Sequence, residues 1–237
     1  TRDLDLLGRG PHSLERLESI FADVWQLRVE DDGLELEPGS IRSREIREVQ
    51  EYGGVRVTMT ARLGNARIPI QVDIGFGDAV TPAPAEVTYP TLLDLPAPVL
   101  LAYPRETVVA EKLQAVVALG FANTRMKDFY DLWILARGFP FSGETLSRAV
   151  AATFTRRGTA VPDDDPEGLT PRFYEDPGKE RQWDAFLGRT GLASHTPAFP
   201  IAADLLRGFL LPPLRALRTG EPFAQAWPAG GPWTPGT

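Results

Sequence analysis

The sequence predicts an α/β (α+β) protein in which a mixed or antiparallel sheet is followed by a helical C-terminal half. Before residue 75, several runs alternate apolar and polar residues, which is the two-residue period of strands. After Pro104, apolar residues recur at three- and four-residue spacing, as in amphipathic helices. A proline-rich stretch, 80–104, separates the two patterns. We therefore expect a sheet domain at residues 1–95 and a mainly helical domain at residues 96–237, with the functional site in the cleft between them.

The composition is that of an ordinary globular protein. The chain has 237 residues, of which 43% are hydrophobic and 24% charged. A total of 25 Lys and Arg against 32 Asp and Glu gives a net charge of −7, which excludes a generally basic nucleic-acid coat protein. The lack of cysteine excludes a disulfide scaffold, a thiolate metal site and a cysteine nucleophile. No apolar run approaches the roughly 20 residues of a membrane span. We expect a cytoplasmic protein with no membrane contact.

Strands and one helix are predicted for the first half. Residues 2–7 alternate charged residues with Leu, which indicates a strand with one buried face. Ser13 is a candidate N-cap for a helix whose apolar positions include Leu14, Leu17 and Phe21. Three strand-like runs follow, with Gly53-Gly54 and Gly64-Asn65 as the turns of successive hairpins: Ile41 to Tyr52, Val55 to Leu63, and Ala66 to Ile74.

The second half is predicted to be helical after an extended connector with little regular structure. Pro104 can open a helix that Gly120 ends, and Ser142 is a candidate cap for a later helix. Residues 158–178 are rich in Pro, Asp and Gly and indicate a loop. The predicted helices are Pro104 to Leu119, Arg125 to Arg137, Glu144 to Arg156, residues 179–188 and residues 200–211.

Carboxylates on two predicted strands are candidate metal ligands. Asp3 and Asp5 project to the same side of their strand, about 7 Å apart along the backbone. Asp73 lies with Gln71 on the polar face of the run 68–74. If the two strands are neighbours, three carboxylates converge, which is the arrangement that holds two Mg²⁺ ions for in-line attack on a phosphoryl group. The alternative is a solvated strand face, since an Asp-x-Asp pair is common on exposed strands.

Two charged residues lie among the apolar positions of their helices. Lys112 shares the stripe of Val109 and Val116, and Asp128 shares that of Leu132. A buried charge is costly unless it is paired or binds a ligand, so these positions favour a functional site. The alternatives are that Asp128 stabilises the positive end of its helix and that Lys112 extends its amine to solvent.

Basic residues also cluster in the helical half. They could meet the phosphates of a nucleotide or of RNA, or they could form a solvated face. These residues are Arg125, Lys127, Arg148, Arg156 and Arg157.

Four segments, in this order, resemble the AbiEii/AbiGii toxin family of nucleotidyltransferases. That family belongs to the DNA polymerase beta-like nucleotidyltransferase superfamily and includes the MenT-type toxins of bacterial toxin–antitoxin systems. The resemblance covers most of residues 1–137 and is more specific than any single motif. The segments are Thr1 to Leu6, Val72 to Ile74, Val109 to Leu113, and Arg125 to Leu132.

The resemblance implies a nucleotidyltransferase-type sheet and a role for each charged residue of these segments. The metal ligands would be Asp3, Asp5 and Asp73, binding Mg²⁺. The catalytic residues would be Asp3, Asp5, Lys112 and Asp128. The NTP would be held by Lys112 with Lys127 and Asp131.

The implied reaction is transfer of a nucleoside monophosphate from an NTP to an acceptor, with release of pyrophosphate. In MenT-like relatives the acceptor is the 3′ end of tRNA, so tRNA and a cognate antitoxin protein are the expected partners. Two alternatives are nucleotidylation or phosphorylation of a protein hydroxyl, and a catalytically inactive partner-binding module. The glycine-rich segment that the family carries upstream of its Asp-x-Asp pair is not found here. We therefore expect the N-terminal part of the sheet domain to precede Thr1 in the complete protein.

Overall fold

The structure is a computed structural model that describes residues 4–11, 13–27, 33–47, 53–92 and 94–236. It has the predicted fold class, a mixed sheet followed by a helical C-terminal half. The chain folds as two units, Thr1–Asp78 and Ala79–Thr237. The domain boundary expected at residue 95 stays a prediction.

The first unit is built on a mixed sheet, which has five strands in the described part of the chain. The strand order is β1-β5-β4-β2, and β3 also pairs with β4. β1 is parallel to β5, whereas the other pairs are antiparallel. One helix, α1, follows the first strand. The bounds are β1 Leu4–Gly8, α1 Leu14–Trp25, β2 Leu34–Leu36, β3 Arg42–Arg47, β4 Gly53–Leu63 and β5 Ala66–Phe76.

Glycine has a different role in the two predicted turns. Gly64-Asn65 is a two-residue turn between β4 and β5, and Gly64 has a positive φ of 57°, which favours glycine. The predicted turn at Gly53-Gly54 is wrong, because both residues lie in β4. A Cβ on Gly54 would lie 3.1 Å from a side-chain carbon of Ile46 and 3.1 Å from the carbonyl oxygen of Ile74. Glycine is used there for close packing within the sheet.

Helix α1 packs over β3 and β4 on one face of this sheet, and the other face is polar. The buried face predicted for the strand at residues 2–7 is wrong, because Leu4 and Leu6 of β1 are 52% and 41% exposed. Ser13 caps the helix by accepting from the backbone N–H of Arg16, as predicted. Glu18 accepts from the backbone N–H and the hydroxyl of Ser43, which ties the helix to β3. The hydrogen bond from the Ser43 hydroxyl is the main cause of the lowered pKa of Glu18. The buried apolar residues that pack together as the core of this unit are Leu17, Ile41, Val55, Val57, Met59, Val72 and Ile74.

The second unit begins with a hairpin and continues as a helical bundle. A short sheet formed by β8, β9 and β10 joins the region between α3 and α4 to the end of the chain. Its strands are β6 Ala85–Thr88, β7 Val99–Ala102, β8 Phe141–Ser142, β9 Gln225–Trp227 and β10 Thr234–Pro235. Its helices are α2 Arg105–Leu119, α3 Met126–Gly138, α4 Gly143–Arg156, α5 Pro171–Tyr174, α6 Pro177–Thr190 and α7 Phe199–Thr219.

The structure corrects three predictions for this half. The connector contains the antiparallel hairpin β6–β7, because Pro90, Pro96 and Pro98 lie in its loop rather than in the paired residues. The loop at 158–178 includes α5. Helix α7 continues past residue 211, through Pro212-Pro213, to Thr219. The helix persists there because Pro213 and the leucines around it pack into the core, which offsets the two backbone hydrogen bonds that the prolines cannot make.

Aromatic side chains form the centre of the helical unit. Phe129 stacks on Phe173 with a centroid distance of 5.4 Å, and Trp183 stacks on Phe199 at 5.0 Å. The tail also contributes, since the indole N–H of Trp227 donates to the carbonyl oxygen of Ala136 at 2.7 Å. Trp183 and Trp227 are buried and pack in this centre. None of the helices in the described part of the chain has the length and hydrophobicity needed to cross a membrane.

We expect Trp227→Ala to lower the free energy of unfolding by about 3–5 kcal/mol, because it empties a buried site and removes a buried donor. Trp227→Phe keeps most of the apolar contact and should cost about 1 kcal/mol. Urea unfolding followed by far-UV circular dichroism measures both. Wild-type stability of the Ala variant would show that the tail is not part of the core.

Candidate active site

The strand pairing of the first unit brings two of the predicted carboxylates together. Asp5 and Asp73 are register partners on the parallel strands β1 and β5. Neighbouring strands lie about 4.8 Å apart, and register partners point to the same face of the sheet. Asp73 is also the register partner of Arg56 on β4. A row of charges, Asp5–Asp73–Arg56, therefore crosses the polar face. Asp3 lies outside the described residues.

Arg56 binds Asp73 through two parallel hydrogen bonds. Its Nε donates to Oδ1 at 2.7 Å, and its Nη2 donates to Oδ2 at 2.7 Å. The two side chains are 26% and 17% exposed, so solvent screens the pair only in part. Arg56 was not among the site residues predicted from the sequence. Counting back along the strands from the turn at Gly64-Asn65 would have placed it opposite Asp73, because a two-residue turn fixes the register.

The carboxylates of Asp5 and Asp73 are suitable ligands for a divalent cation, since Mg²⁺ prefers carboxylate oxygens. Asp5 is exposed, whereas both oxygens of Asp73 accept from Arg56. A cation at this face would thus share Asp73 with the guanidinium. Within the described ranges, no three Asp, Glu or His side chains group closely enough to hold a metal ion.

The helical unit joins Lys112 to two carboxylates. Its Nζ lies 2.8 Å from Oδ1 of Asp128 and 2.8 Å from Oδ2 of Asp131, so α2 and α3 are linked by one shared cation. The side chain of Lys112 is only 16% exposed. Burial is the largest single influence and acts to lower the pKa of Lys112, but the two carboxylates together outweigh it and raise that pKa. Lys112 is a largely buried and paired cation rather than a lysine that extends to solvent.

Two surface cations complete this network. The Nζ of Lys127 lies 2.7 Å from Oδ2 of Asp131, and Nη1 of Arg125 lies 4.0 Å from Oδ2 of Asp128. Asp128 is also in the first turn of α3, where its charge favours the helix. Each carboxylate therefore lies between the buried Lys112 and a cation that is more than half exposed. Arg125 and Lys127 therefore present positive charge to solvent, and the carboxylates of Asp128 and Asp131 hold these two cations in place.

A buried asparagine and a second buried lysine fix the start of α3. Oδ1 of Asn123 accepts from the backbone N–H of Arg125 at 2.8 Å. Nζ of Lys179, on α6, donates to the carbonyl oxygen of Asn123 at 2.8 Å. Lys179 also lies over the rings of Phe121 and Phe173, at 5.0 and 4.7 Å from their centroids. Burial lowers its pKa. These contacts position the segment that carries Arg125.

Only some of the predicted basic cluster comes together. Arg125 and Lys127 are neighbours at the start of α3. Arg157 binds Glu111 at 2.6 Å, which ties α4 to α2, and Arg148 is exposed on α4. The cluster predicted from the sequence is therefore divided among different surfaces.

A double-mutant cycle on Lys112→Met and Asp128→Asn should give a coupling energy of about 1–3 kcal/mol, because the pair is mostly desolvated. The exposed pair Arg172–Glu167, at 2.9 Å and with side chains 76% and 36% exposed, is the control and should give less than about 0.5 kcal/mol. Urea unfolding of the variants measures both.

The raised pKa of Lys112 fixes the pH dependence of this coupling. The stabilisation is fully present below the unfolded-state pKa of about 10.4 and is lost only as the pH rises through the higher folded-state value. We therefore expect the coupling to be constant between about pH 6 and pH 9. A value that falls within this range would contradict the assignment.

Comparison with known protein families identifies the chain. The family model described as "Nucleotidyl transferase AbiEii toxin, Type IV TA system" matches residues 1–205, which includes both charged groups described above. A comparison with curated proteins and one with solved structures find no significant match. The family match extends over most of the chain, and the resemblance noted in the sequence is confirmed. The chain therefore belongs to the AbiEii family of nucleotidyltransferase toxins, of type IV toxin–antitoxin systems.

Proposed function

We propose that this nucleotidyltransferase transfers a nucleoside monophosphate from an NTP to the 3′ end of tRNA and releases pyrophosphate. The observation that carries the proposal is the register of Asp5 with Asp73, which supplies paired carboxylates on a polar sheet face in a member of this family. The acceptor hydroxyl oxygen would form a bond to the α-phosphorus as the bond from that phosphorus to pyrophosphate breaks, and the hydroxyl proton would leave to solvent.

Asp5 and Asp73, with Asp3, would hold Mg²⁺ at this face. When bound, the metal would offset the negative charge that develops on the phosphoryl group. Rotation of Arg56 away from Asp73 would free the oxygens of that carboxylate for the cation. The guanidinium would then remain beside the metal ligands, where its planar set of N–H donors suits phosphate oxygens.

Lys112 and Lys127 would bind the triphosphate, with Asp128 and Asp131 orienting the buried lysine. The raised pKa of Lys112 keeps its amine charged at neutral pH, which suits a group that offsets phosphate charge. Asp128 and Asp131 hold that amine from two directions, so it does not need to reorganise when the nucleotide binds. The antitoxin would be a cognate protein partner in the cytoplasm, where NTPs and tRNA occur.

A transfer assay tests the proposal. The full protein is incubated with Mg²⁺, total tRNA and each α-phosphate-labelled NTP in turn, and we expect label on tRNA for one or more nucleotides. Asp5→Asn should reduce the rate by at least about 100-fold, because it removes a charged oxygen donor from the metal site. Asp204→Asn, an exposed position on α7, is the matched control and should keep the wild-type rate.

The other outcomes correspond to the alternative functions. Label on protein would overturn tRNA as the acceptor and favour nucleotidylation of a protein hydroxyl, and γ-labelled ATP would reveal phosphorylation. No label with any NTP or acceptor would contradict catalysis by this chain and favour a partner-binding module.

The pairing of Arg56 with Asp73 predicts competition between the guanidinium and a metal ion. Arg56→Met should increase the affinity for Mn²⁺ by about fivefold, because it frees both oxygens of Asp73 and removes a nearby positive charge. Mn²⁺ binding followed by electron paramagnetic resonance, without nucleotide, measures this. Arg67→Met, at an exposed arginine that pairs with Glu37, is the control. Equal affinities in the two variants would show that Asp73 does not take part in metal binding.

A further inference from the structure

A groove in the helical unit is lined by three basic side chains. It lies between the start of α3 and one face of α6 and has a volume of about 390 Å³. Its charged residues are Arg125, Lys127 and Arg189, and the described residues that line it include no carboxylate. We call this surface, with Gln182 and Phe186, the basic groove. The chain as a whole has a net charge of −7, so this local excess is opposite in sign to the rest of the protein.

The two walls of the groove are held in a fixed relation. Gln182, Phe186 and Arg189 occupy positions i, i+4 and i+7 of α6 and therefore share one helical face. The opposite wall is the start of α3, which carries the basic residues Arg125 and Lys127. The bond from Lys179 on α6 to the carbonyl oxygen of Asn123 joins the walls. The groove is pre-organised for an anionic ligand.

An aromatic ring and an amide in the groove favour nucleic acid over a simple anion. Phe186 is half-buried, and its ring is held by Tyr130 and Trp183 at centroid distances of 5.7 and 6.2 Å. A fixed aromatic ring beside cations is the usual combination in sites for single-stranded nucleic acid, where bases stack and phosphates pair with basic side chains. Oε1 of Gln182 is buried and has no hydrogen-bond partner among the described residues. Rotation of the Gln182 side chain towards the groove that it lines would let this oxygen accept from the exocyclic amine of a base.

The groove is continuous with the network around Lys112. Lys127 lies 2.7 Å from Asp131, and Arg125 lies 4.0 Å from Asp128, so both residues belong to the groove and to that network. Arg189 and Phe186 extend the surface away from it, along α6. A strand bound in the groove would lead directly to the lysine that we assign to the triphosphate.

We propose that the basic groove binds the single-stranded 3′ end of the acceptor RNA, with Arg189 and Arg125 on its phosphates and Phe186 against a base, while Lys127 stays with the triphosphate. The inference rests on the proposed function, because it names the surface that delivers the acceptor. It differs from the triphosphate site in depending on Arg189 and Phe186, which lie outside the Lys112 network.

RNA binding by the full protein tests the groove. Fluorescence anisotropy, without NTP, gives the Kd for labelled tRNA and for a single-stranded oligonucleotide with the sequence of its 3′ end. Arg189→Glu should weaken both by at least about tenfold and reduce the slope of log Kd against log salt by about one, because one phosphate contact is lost. Phe186→Leu should weaken both by about tenfold through lost stacking. Arg148→Glu makes the same change of charge at an exposed site on α4 and should stay within twofold of wild type.

Two results would overturn the groove as the RNA site. Wild-type RNA affinity in both Arg189→Glu and Phe186→Leu would do so, provided that circular dichroism shows both variants folded. Weaker binding of NTP, with RNA affinity unchanged, would instead assign the groove to the nucleotide. The transfer assay separates the two proposals. Transfer to tRNA with wild-type RNA binding in both variants rejects the groove alone, whereas groove-dependent RNA binding without transfer to any acceptor rejects the proposed reaction alone.

Discussion

The register of the β4–β5 hairpin is the constraint on which the first unit depends. The turn at Gly64-Asn65 pairs Leu63 with Ala66, and every later pair along the two strands follows from it. Because side chains alternate between faces, a slip of one residue would turn Asp73 into the core and Val72 out to solvent. The same register places Arg56 opposite Asp73. The hydrophobic core and the charged row on the polar face are thus two results of a single alignment.

The helical unit shows two ways of burying a lysine. Lys112 is held by two carboxylates, and its pKa is raised because their attraction exceeds the effect of desolvation. Lys179 is held by a carbonyl oxygen and two aromatic rings, and burial lowers its pKa. Neutral partners compensate less of the lost hydration than charged ones do. The first arrangement suits a lysine that must stay charged near phosphates, and the second suits a lysine whose task is to hold two segments together.

The sequence predicted the fold class and most helices because their signals are local. Ser13 and Ser142 cap helices where expected, and Gly120 ends one. The hairpin β6–β7 was not predicted. A high proline content indicates a connector, but it does not show that the prolines lie in the loop of a hairpin and outside its paired residues. Helix α7 was cut short at Pro212-Pro213, where tertiary burial overrides a local helix breaker.

Site residues were predictable where the signal was local and were missed where it depended on distant parts of the chain. A charge within an apolar stripe was enough to single out Lys112 and Asp128, and the structure pairs them. The sequence predicted that Asp5 and Asp73 would come together if their strands were neighbours. The parallel pairing of β1 with β5 meets that condition. Arg189 is far along the chain from Lys127, and only the packing of α6 beside α3 places them on one surface.

The ion pair between Arg56 and Asp73 has a consequence for how the first unit is made. Two carboxylates in register on adjacent strands repel each other during folding unless a positive charge reaches them. A bound metal ion can supply that charge, and folding is then coupled to metal binding. Here the chain supplies its own counterion, Arg56 on the next strand. The sheet can therefore fold without a divalent cation. Availability of metal would then limit activity without limiting the amount of folded protein.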